Sequence, residues 1–169
     1  QQGAPMAAAL LLGGAGASAI TADLGARTVR EEIDAMRVLG IDPTRRLVAP
    51  RMVAMVLVAP VLSVLIIVIA VAASFIVAIV GQGVIAGSYW QSFGSYASTT
   101  DLWICLGKSV VFGFVVVVIA SRRGLEAAGG ARGVADAVNA AVVLGIVASM
   151  VINVIITQIT TLFIPPQVI

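Results

Sequence analysis

The stretch VAMVLVAPVLSVLIIVIAVAASFIVAIV, residues 53–80, decides the fold class of this protein. It contains no Asp, Glu, Lys or Arg, and the charge-free region around it runs from Met52 to Thr100. A helix needs about 20 apolar residues to cross the hydrocarbon core of a bilayer. Residues 53–80 exceed that length, so they predict one long membrane-spanning helix that tilts or protrudes.

Three further stretches have the same character. Residues 3–22 carry no charge, residues 102–121 carry only Lys108, and residues 134–163 carry only Asp136. We therefore expect an all-α, polytopic membrane protein in which residues 1–169 form one transmembrane domain with about four transmembrane helices. The chain begins Gln-Gln-Gly without Met, and we interpret it as a domain that lacks its natural N-terminus.

The composition excludes several classes of protein. Of the 169 residues, 60% are hydrophobic and 11% are charged, and the mean hydropathy is +1.12. Soluble domains are nearer a quarter charged, so a soluble enzyme or a disordered segment is not expected. A net charge of +2 does not suit a nucleic-acid binder. The chain has no His and a single Cys105, so we expect no His metal site and no internal disulfide framework.

Basic residues lie in two of the three connections between the apolar stretches. Segment 23–51 contains six arginines and segment 122–133 contains three, whereas the outer segment, residues 81–100, contains no charge. Cytoplasmic connections are rich in Lys and Arg, so we expect segments 23–51 and 122–133 in the cytoplasm and segment 81–100 outside. Aromatic residues at the outer side predict an interfacial belt, or a hairpin of packed rings, at Tyr89, Trp90, Phe93, Tyr96 and Trp103.

The first basic segment predicts a short helix over about 29–39. Thr28-x-x-Glu31 matches a capping box at its start, and Gly40 stands where a left-handed residue ends a helix. Val29, Ile33, Met36 and Gly40 share one stripe at helical spacing. Off that stripe lie Arg30, Glu31, Asp34 and Arg37, which predict the ion pairs Arg30–Asp34 and Asp34–Arg37.

Two interpretations of this helix remain open from the residues alone. It lies on the inner membrane surface, with its arginines toward lipid headgroups, or it is a coupling helix that docks on a cytoplasmic ATPase. Its mixture of acids and bases suits a protein partner better than a surface helix rich only in Lys and Arg.

Three motifs resemble one protein family along essentially the whole chain. EEIDAM at residues 31–36, followed by GIDP at 40–43 and Pro50-Arg51, is similar to the signature of MlaE/YrbE permeases. CLGKSVVF at residues 105–112 resembles that family's penultimate helix, and GARGVADAV at residues 130–138 resembles the beginning of its last helix. The residues of the last motif and of the GIDP turn are similar to those of the actinobacterial, Mce-operon branch of the family.

The resemblance implies a transmembrane subunit of an ABC-type lipid transporter in the cytoplasmic (inner) membrane. Its implied partners are an ABC ATPase dimer, a second permease subunit (identical or different), MCE-domain proteins and a lipid. ATP and Mg would bind in the partner ATPase, so this chain itself would be no enzyme and would hold no cofactor. The residues expected to contact the ATPase are Arg30, Glu31, Asp34, Arg37, Gly40 and Asp42, with Ile33 and Met36 holding the helix to its own subunit.

Two alternatives come from other functional classes. The chain could form an ATP-independent channel or secondary transporter, for which a polar lane through the bilayer is needed, or a structural membrane scaffold. Gly107-Lys108-Ser109 is not a P-loop, because position 102 is Leu and a membrane helix surrounds the motif.

Polar residues within the spans have structural and functional interpretations. Asp101 and Lys108 share a helix face, so Lys108 pairs with Asp101 or meets a lipid headgroup in a cavity. Asn139 and Asn153 make interhelical hydrogen bonds or line a substrate cavity. Ala9, Gly13 and Ala17 form a small-residue face that packs within the subunit or across a dimer.

Overall fold

The computed structural model describes residues 3–81, 83–96 and 99–163. These residues form helices joined by short turns, without a strand among them, so the all-α prediction is confirmed. Within them, four helices are long and apolar enough to cross a membrane: Met6–Val29, Thr44–Gly81, Thr100–Leu125 and Gly130–Leu162. The chain is therefore a multi-pass membrane protein.

The helices have the following bounds in chain order. They are α1 Gly3–Leu11, α2 Ala17–Val29, α3 Glu32–Val38, α4 Ala49–Ile76, α5 Ala86–Tyr96, α6 Thr99–Leu125 and α7 Gly130–Phe163. A π-helical turn, Leu12–Gly16, joins α1 to α2 into one rod, and two others, Thr44–Val48 and Val77–Gly81, extend α4 at both ends. The long helices continue past the apolar stretches into the arginine-bearing segments, because a helix once formed gains a hydrogen bond for each residue added.

Helix α6 is the centre of the bundle and packs against α2, α4 and α7. Alanine and branched aliphatic side chains from three helices form the core: Ala17, Ile20, Leu24, Val116, Val117, Ala120 and Ala141. A buried hydrogen bond from Thr21 Oγ1 to the Ala120 carbonyl, at 3.0 Å, fixes α2 against α6. The resulting contact is close enough that a Cβ on Gly124 would lie 2.6 Å from Leu24 Cβ.

The small-residue face of the first span packs inside the chain. A Cβ on Gly145 of α7 would lie 3.6 Å from Gly13 Cα and 3.9 Å from Ala17 Cβ. Of the two interpretations of this face, the structure therefore supports packing within the subunit.

Helix α4 lies at the edge of the bundle. Ala59 and Ser63 are fully buried against the other helices, while Val53, Leu57 and Val61 are each at least 60% exposed. Because nothing else in the described chain covers that side, it is the face available to lipid or to another subunit.

Helix α5 folds back onto the C-terminal end of α4, away from the arginine-rich segments. The hydroxyl of Tyr89 lies 2.6 Å from Ser74 Oγ and donates to the Val71 carbonyl at 3.3 Å. Its ring meets Phe75 edge to face at 5.2 Å between centroids, while Trp90 stays 54% exposed. The predicted aromatic belt thus contains a packed hairpin, and the side chain of Tyr96 lies outside the described residues.

Candidate functional site

The first basic segment contains a helix break that the sequence did not predict. Helix α2 continues to Val29, Arg30 caps it, and Glu31 adopts a left-handed conformation with φ 62° before α3 begins at Glu32. The predicted helix over 29–39 is therefore too long at its start. Its stripe loses Val29 to the first span.

The predicted capping box at Thr28-x-x-Glu31 is wrong. Thr28 lies in the last turn of α2, where its hydroxyl bonds to the Leu24 carbonyl at 2.9 Å and the Gly124 carbonyl at 3.1 Å. The bond to Gly124 ties the end of α2 to α6, and a contact between segments so distant in sequence is invisible to local pattern reasoning. Glu31 instead ends the first span, with its amide donating to the Thr28 carbonyl at 3.0 Å.

The end of α3 follows the prediction. Gly40 has φ 72°, its amide donates to the Arg37 carbonyl at 3.0 Å, and the Ile41 amide donates to the Met36 carbonyl at 2.9 Å. These two bonds form a Schellman motif. Asp42 then accepts a bond from the Thr44 amide at 2.9 Å, which caps the next turn. Both Gly40 and Asp42 thus have structural roles, and their contact with an ATPase stays a prediction.

Helix α3 presents a mixed surface to its surroundings. Ile33 is 2% exposed and holds the helix to the bundle, while Asp34 and Arg37 pair on the outside at 2.9 Å, as predicted. Val38 and Leu39 follow at 87% and 73% exposure. Two large apolar side chains this exposed beside an ion pair form a compact surface, here called the α3 tip, of the kind that protein partners cover.

An ion-pair network connects α3 to the first two spans. Asp23 on α2 accepts from Arg27 at 3.3 Å and from Arg51 of α4. Arg27 also reaches Glu32 of α3 at 3.4 Å. Arg30, predicted to pair with Asp34, lies 3.6 Å from Glu32 instead, because it stands in the break between the helices.

Sequence reasoning missed the role of this network. It used Arg27 as a topology signal, used Glu32 and Arg51 beyond that only as parts of a family motif, and gave Asp23 no role. The available signal was position, since Asp23 is the first charge after one apolar stretch and Arg51 is the last charge before the next. Two opposite charges at the ends of neighbouring spans meet when those spans pack side by side.

A second group of polar side chains lies inside the bundle, toward the end away from the arginine-rich segments. Lys108 of α6 is 6% exposed and donates to Thr157 Oγ1 of α7 at 2.8 Å. Thr157 in turn donates to the carbonyl of Asn153 at 2.6 Å. Among the described residues, Asn153 Oδ1 and Ser149 Oγ are buried without a hydrogen-bond partner. Ser149, which the sequence reasoning passed over, lies one helical turn before Asn153 on the same face of α7 and extends this polar cluster.

The remaining predicted polar residues lie elsewhere. Asp101 is half-buried in the first turn of α6, and its direct pairing with Lys108 stays a prediction. Asn139 is exposed near the start of α7, whereas Asn153 is buried, so the two amides do not share one environment. Over the described residues, no group of three acidic, His or Cys side chains could hold a metal ion.

Comparison with known proteins agrees with this architecture. A family described as "Permease MlaE" matches residues 1–159. A "Probable ABC transporter permease protein" of Synechocystis sp. is 31% identical over 89% of this chain and 57% of its own length. The "Intermembrane phospholipid transport system permease protein MlaE" of Haemophilus influenzae is 33% identical over 82% of this chain and 54% of its own.

A plant relative extends the comparison beyond bacteria. "Protein TRIGALACTOSYLDIACYLGLYCEROL 1, chloroplastic" of Arabidopsis thaliana is 29% identical over 91% of this chain and 44% of its own length. The chain thus spans about half the length of the curated relatives it matches. Because the family match covers nearly every residue and the helices agree with a multi-pass permease, this chain belongs to the MlaE permease family.

Proposed function

We propose that the chain is the membrane subunit of an ABC-type lipid transporter in the cytoplasmic (inner) membrane. A partner ATPase dimer would bind ATP and Mg, and lipid would move between the membrane and MCE-domain proteins. The names of two relatives support this proposal, since one is called a probable ABC transporter permease and the other a permease of an intermembrane phospholipid transport system. The chain is only part of such an assembly, and a second permease subunit would complete the membrane portion.

The α3 tip is the observation that carries the coupling part of the proposal. Val38 and Leu39 would be covered by the ATPase, and the Asp34–Arg37 pair would form the polar rim of that contact. The alternative, α3 lying on the inner membrane surface, also covers apolar groups. It is less favoured because the exposed acids Glu31 and Asp34 would face anionic headgroups.

The ion-pair network supplies a path from α3 to the spans. If ATP binding in the partner displaces α3, the Glu32–Arg27 ion pair moves Arg27. The ion pairs of Asp23 with Arg27 and Arg51 pass this displacement to the start of α4. Because the network joins α3 to α2 of the first span and to α4 of the second span, a movement of α3 changes the angle between these two spans. In this mechanism the network positions the helices and does not touch the lipid.

The polar cluster has two functions open to it. Lys108 binds a lipid headgroup phosphate in a cavity at the outer end, or it only holds α6 to α7 through Thr157. The first function rests on spare donors, because an ammonium group has three and one is used by Thr157. A channel or secondary transporter would need such a polar lane across the whole bilayer.

The decisive experiment is affinity purification of the full-length protein in mild detergent, with mass spectrometry of the associated proteins. We expect an ABC ATPase and MCE-domain proteins to co-purify, and Glu31→Lys together with Leu39→Asp to lose the ATPase. Glu126→Lys is the matched control, because it reverses an exposed charge in the other basic connection, where Glu126 pairs with Arg122 at 3.0 Å.

A second variant separates binding from coupling. Arg51→Gln breaks the network without changing the α3 tip, so the ATPase should still co-purify while ATP-dependent lipid transfer in proteoliposomes falls. Arg46→Gln, at an exposed position on the same side, should leave both unchanged. Recovery of the protein alone, with or without the α3 substitutions, would instead favour the channel or scaffold.

A further inference from the structure

A groove of about 310 Å³ opens between the end of α2 and the first turns of α7. Ala26, Val29 and Arg30 form one wall, and Ala131 and Val134 form the other. All but one of these side chains are apolar. Of the lining residues only Arg30 reaches the ion-pair network, through Glu32, and the α3 tip uses none of them.

Gly25 explains why the groove exists. A Cβ on Gly25 would lie 3.2 Å from Val134 Cγ1 and 3.3 Å from Ala127 Cβ, so the two helices touch at this level. One turn further along α2, at Val29, they have separated, and Val29 is 38% exposed. The groove is therefore closed at the level of Gly25 and open at the basic end of the bundle.

The position of the groove limits what can occupy it. It lies where α2 leaves the apolar stretch and α7 enters it, between two segments that together contain nine arginines. Such arginines mark the headgroup level of the leaflet on the basic side. An apolar recess at that depth borders on glycerol and the first acyl carbons of lipids rather than on bulk water.

Arg30 gives the groove its charge. Its side chain is 71% exposed, and among the described residues its one ion pair is with Glu32, at 3.6 Å. Glu32 also pairs with Arg27 at 3.4 Å, so its charge is shared between two arginines. A guanidinium carries five N–H donors in a planar fork that fits a phosphate, and most of those on Arg30 are uncommitted.

We infer that this groove binds one anionic phospholipid of the leaflet at the basic end. The phosphate lies on Arg30, and the glycerol and first acyl carbons lie against Val29 and Val134. Charge complementarity selects the anionic lipid, because inner leaflets attract basic groups by about 1 kcal/mol for each Lys or Arg near the surface. The bound lipid would fill the gap between α2 and α7 just beside the helix break at Glu31, whether or not the chain transports lipid.

Native mass spectrometry of the full-length protein tests this site. After delipidation, phosphatidylglycerol and phosphatidylcholine are added back separately, and the retained lipids are counted. We expect one phosphatidylglycerol to be retained in preference to phosphatidylcholine. Arg30→Gln should weaken that retention about fivefold, and Ala131→Phe, which fills the groove from an exposed position, should abolish it.

Two controls keep the result specific. Arg45→Gln removes an arginine that is 92% exposed in the same segment, and Val143→Phe enlarges a side chain of α7 that is 61% exposed away from the groove. Both should retain the lipid as the parent protein does. Equal retention of the two lipids, or unchanged retention in Arg30→Gln and Ala131→Phe, would overturn the inference.

A cross-linking measurement identifies the occupant in the membrane. A photoreactive residue at Val29 in the full-length protein should yield an adduct with the mass of a phospholipid. An adduct with a peptide would show that another segment of the protein or a partner subunit fills the groove, and this result would also overturn the inference.

Discussion

Lys108 shows how a single residue depends on its neighbour on another helix. Its ammonium group is buried inside an apolar bundle, which costs free energy unless its donors are paired, and Thr157 supplies the acceptor at 2.8 Å. We expect Thr157→Val to lower the thermal unfolding temperature in detergent and Lys108→Met to lower it less, because Met leaves no unpaired charge. In the double variant the effects should be non-additive by about 1 kcal/mol.

The matched control for this cycle is Thr160. Its hydroxyl bonds to the Ile156 carbonyl of its own helix at 2.7 Å, so Thr160→Val combined with Lys108→Met should be additive. Additivity in the Thr157 cycle as well would show that the Lys108–Thr157 bond contributes nothing to stability.

Glu31 allows a test of backbone strain. A non-glycine residue at φ 62° costs about 1 kcal/mol or more, so Glu31→Gly should raise the unfolding temperature. Glu32→Gly is the counterpart, since Glu32 begins α3 and contacts two arginines, and it should lower that temperature. If Glu31→Gly destabilises the protein, the carboxylate itself makes a contact that outweighs the strain.

At the scale of the helices, close approach of α4 and α6 depends on Gly113. A Cβ there would lie 2.9 Å from both Ala59 Cβ and the Met55 carbonyl oxygen, and neither group is a flexible side-chain end. Gly113→Ala should therefore push the two helices apart and lower the unfolding temperature. Gly107→Ala, on the same helix but with no atom within 4 Å, should be neutral or stabilising by up to about 1 kcal/mol, because Ala favours a helix.

The elements show which parts of the fold were predictable. Runs without charge identified the long helices, because hydrocarbon excludes charged groups whatever the tertiary structure. Gly40 was placed correctly as well, since a Schellman motif forms from bonds between residues close in sequence. Local spacing did not predict the break between α2 and α3, where Thr28 in the last turn of α2 bonds to Gly124, ninety-six residues away.

Across the whole molecule, the charged residues separate two ends with different structure. At the basic end, Asp23, Arg27, Arg51 and Glu32 join three helices through ion pairs. At the neutral end, α5 is held to α4 by aromatic rings and two hydrogen bonds. The composition predicted that the two ends differ in charge. It did not predict the ion pairs and ring contacts, because their residues come together only when the spans pack.

The orientation of the molecule follows from the same asymmetry and can be tested directly. The positive-inside rule places Glu126 in the cytoplasm and Gly94 outside. Both positions are exposed, and a Cβ on Gly94 meets no atom within 4 Å, so cysteine fits at either. A membrane-impermeant maleimide added to intact cells should label Gly94→Cys at once and Glu126→Cys only after permeabilisation. Native Cys105 is 6% exposed and should stay unlabelled until the protein is denatured, which makes it an internal control. The opposite labelling order would reverse the topology and place the α3 tip beyond the reach of a cytoplasmic ATPase.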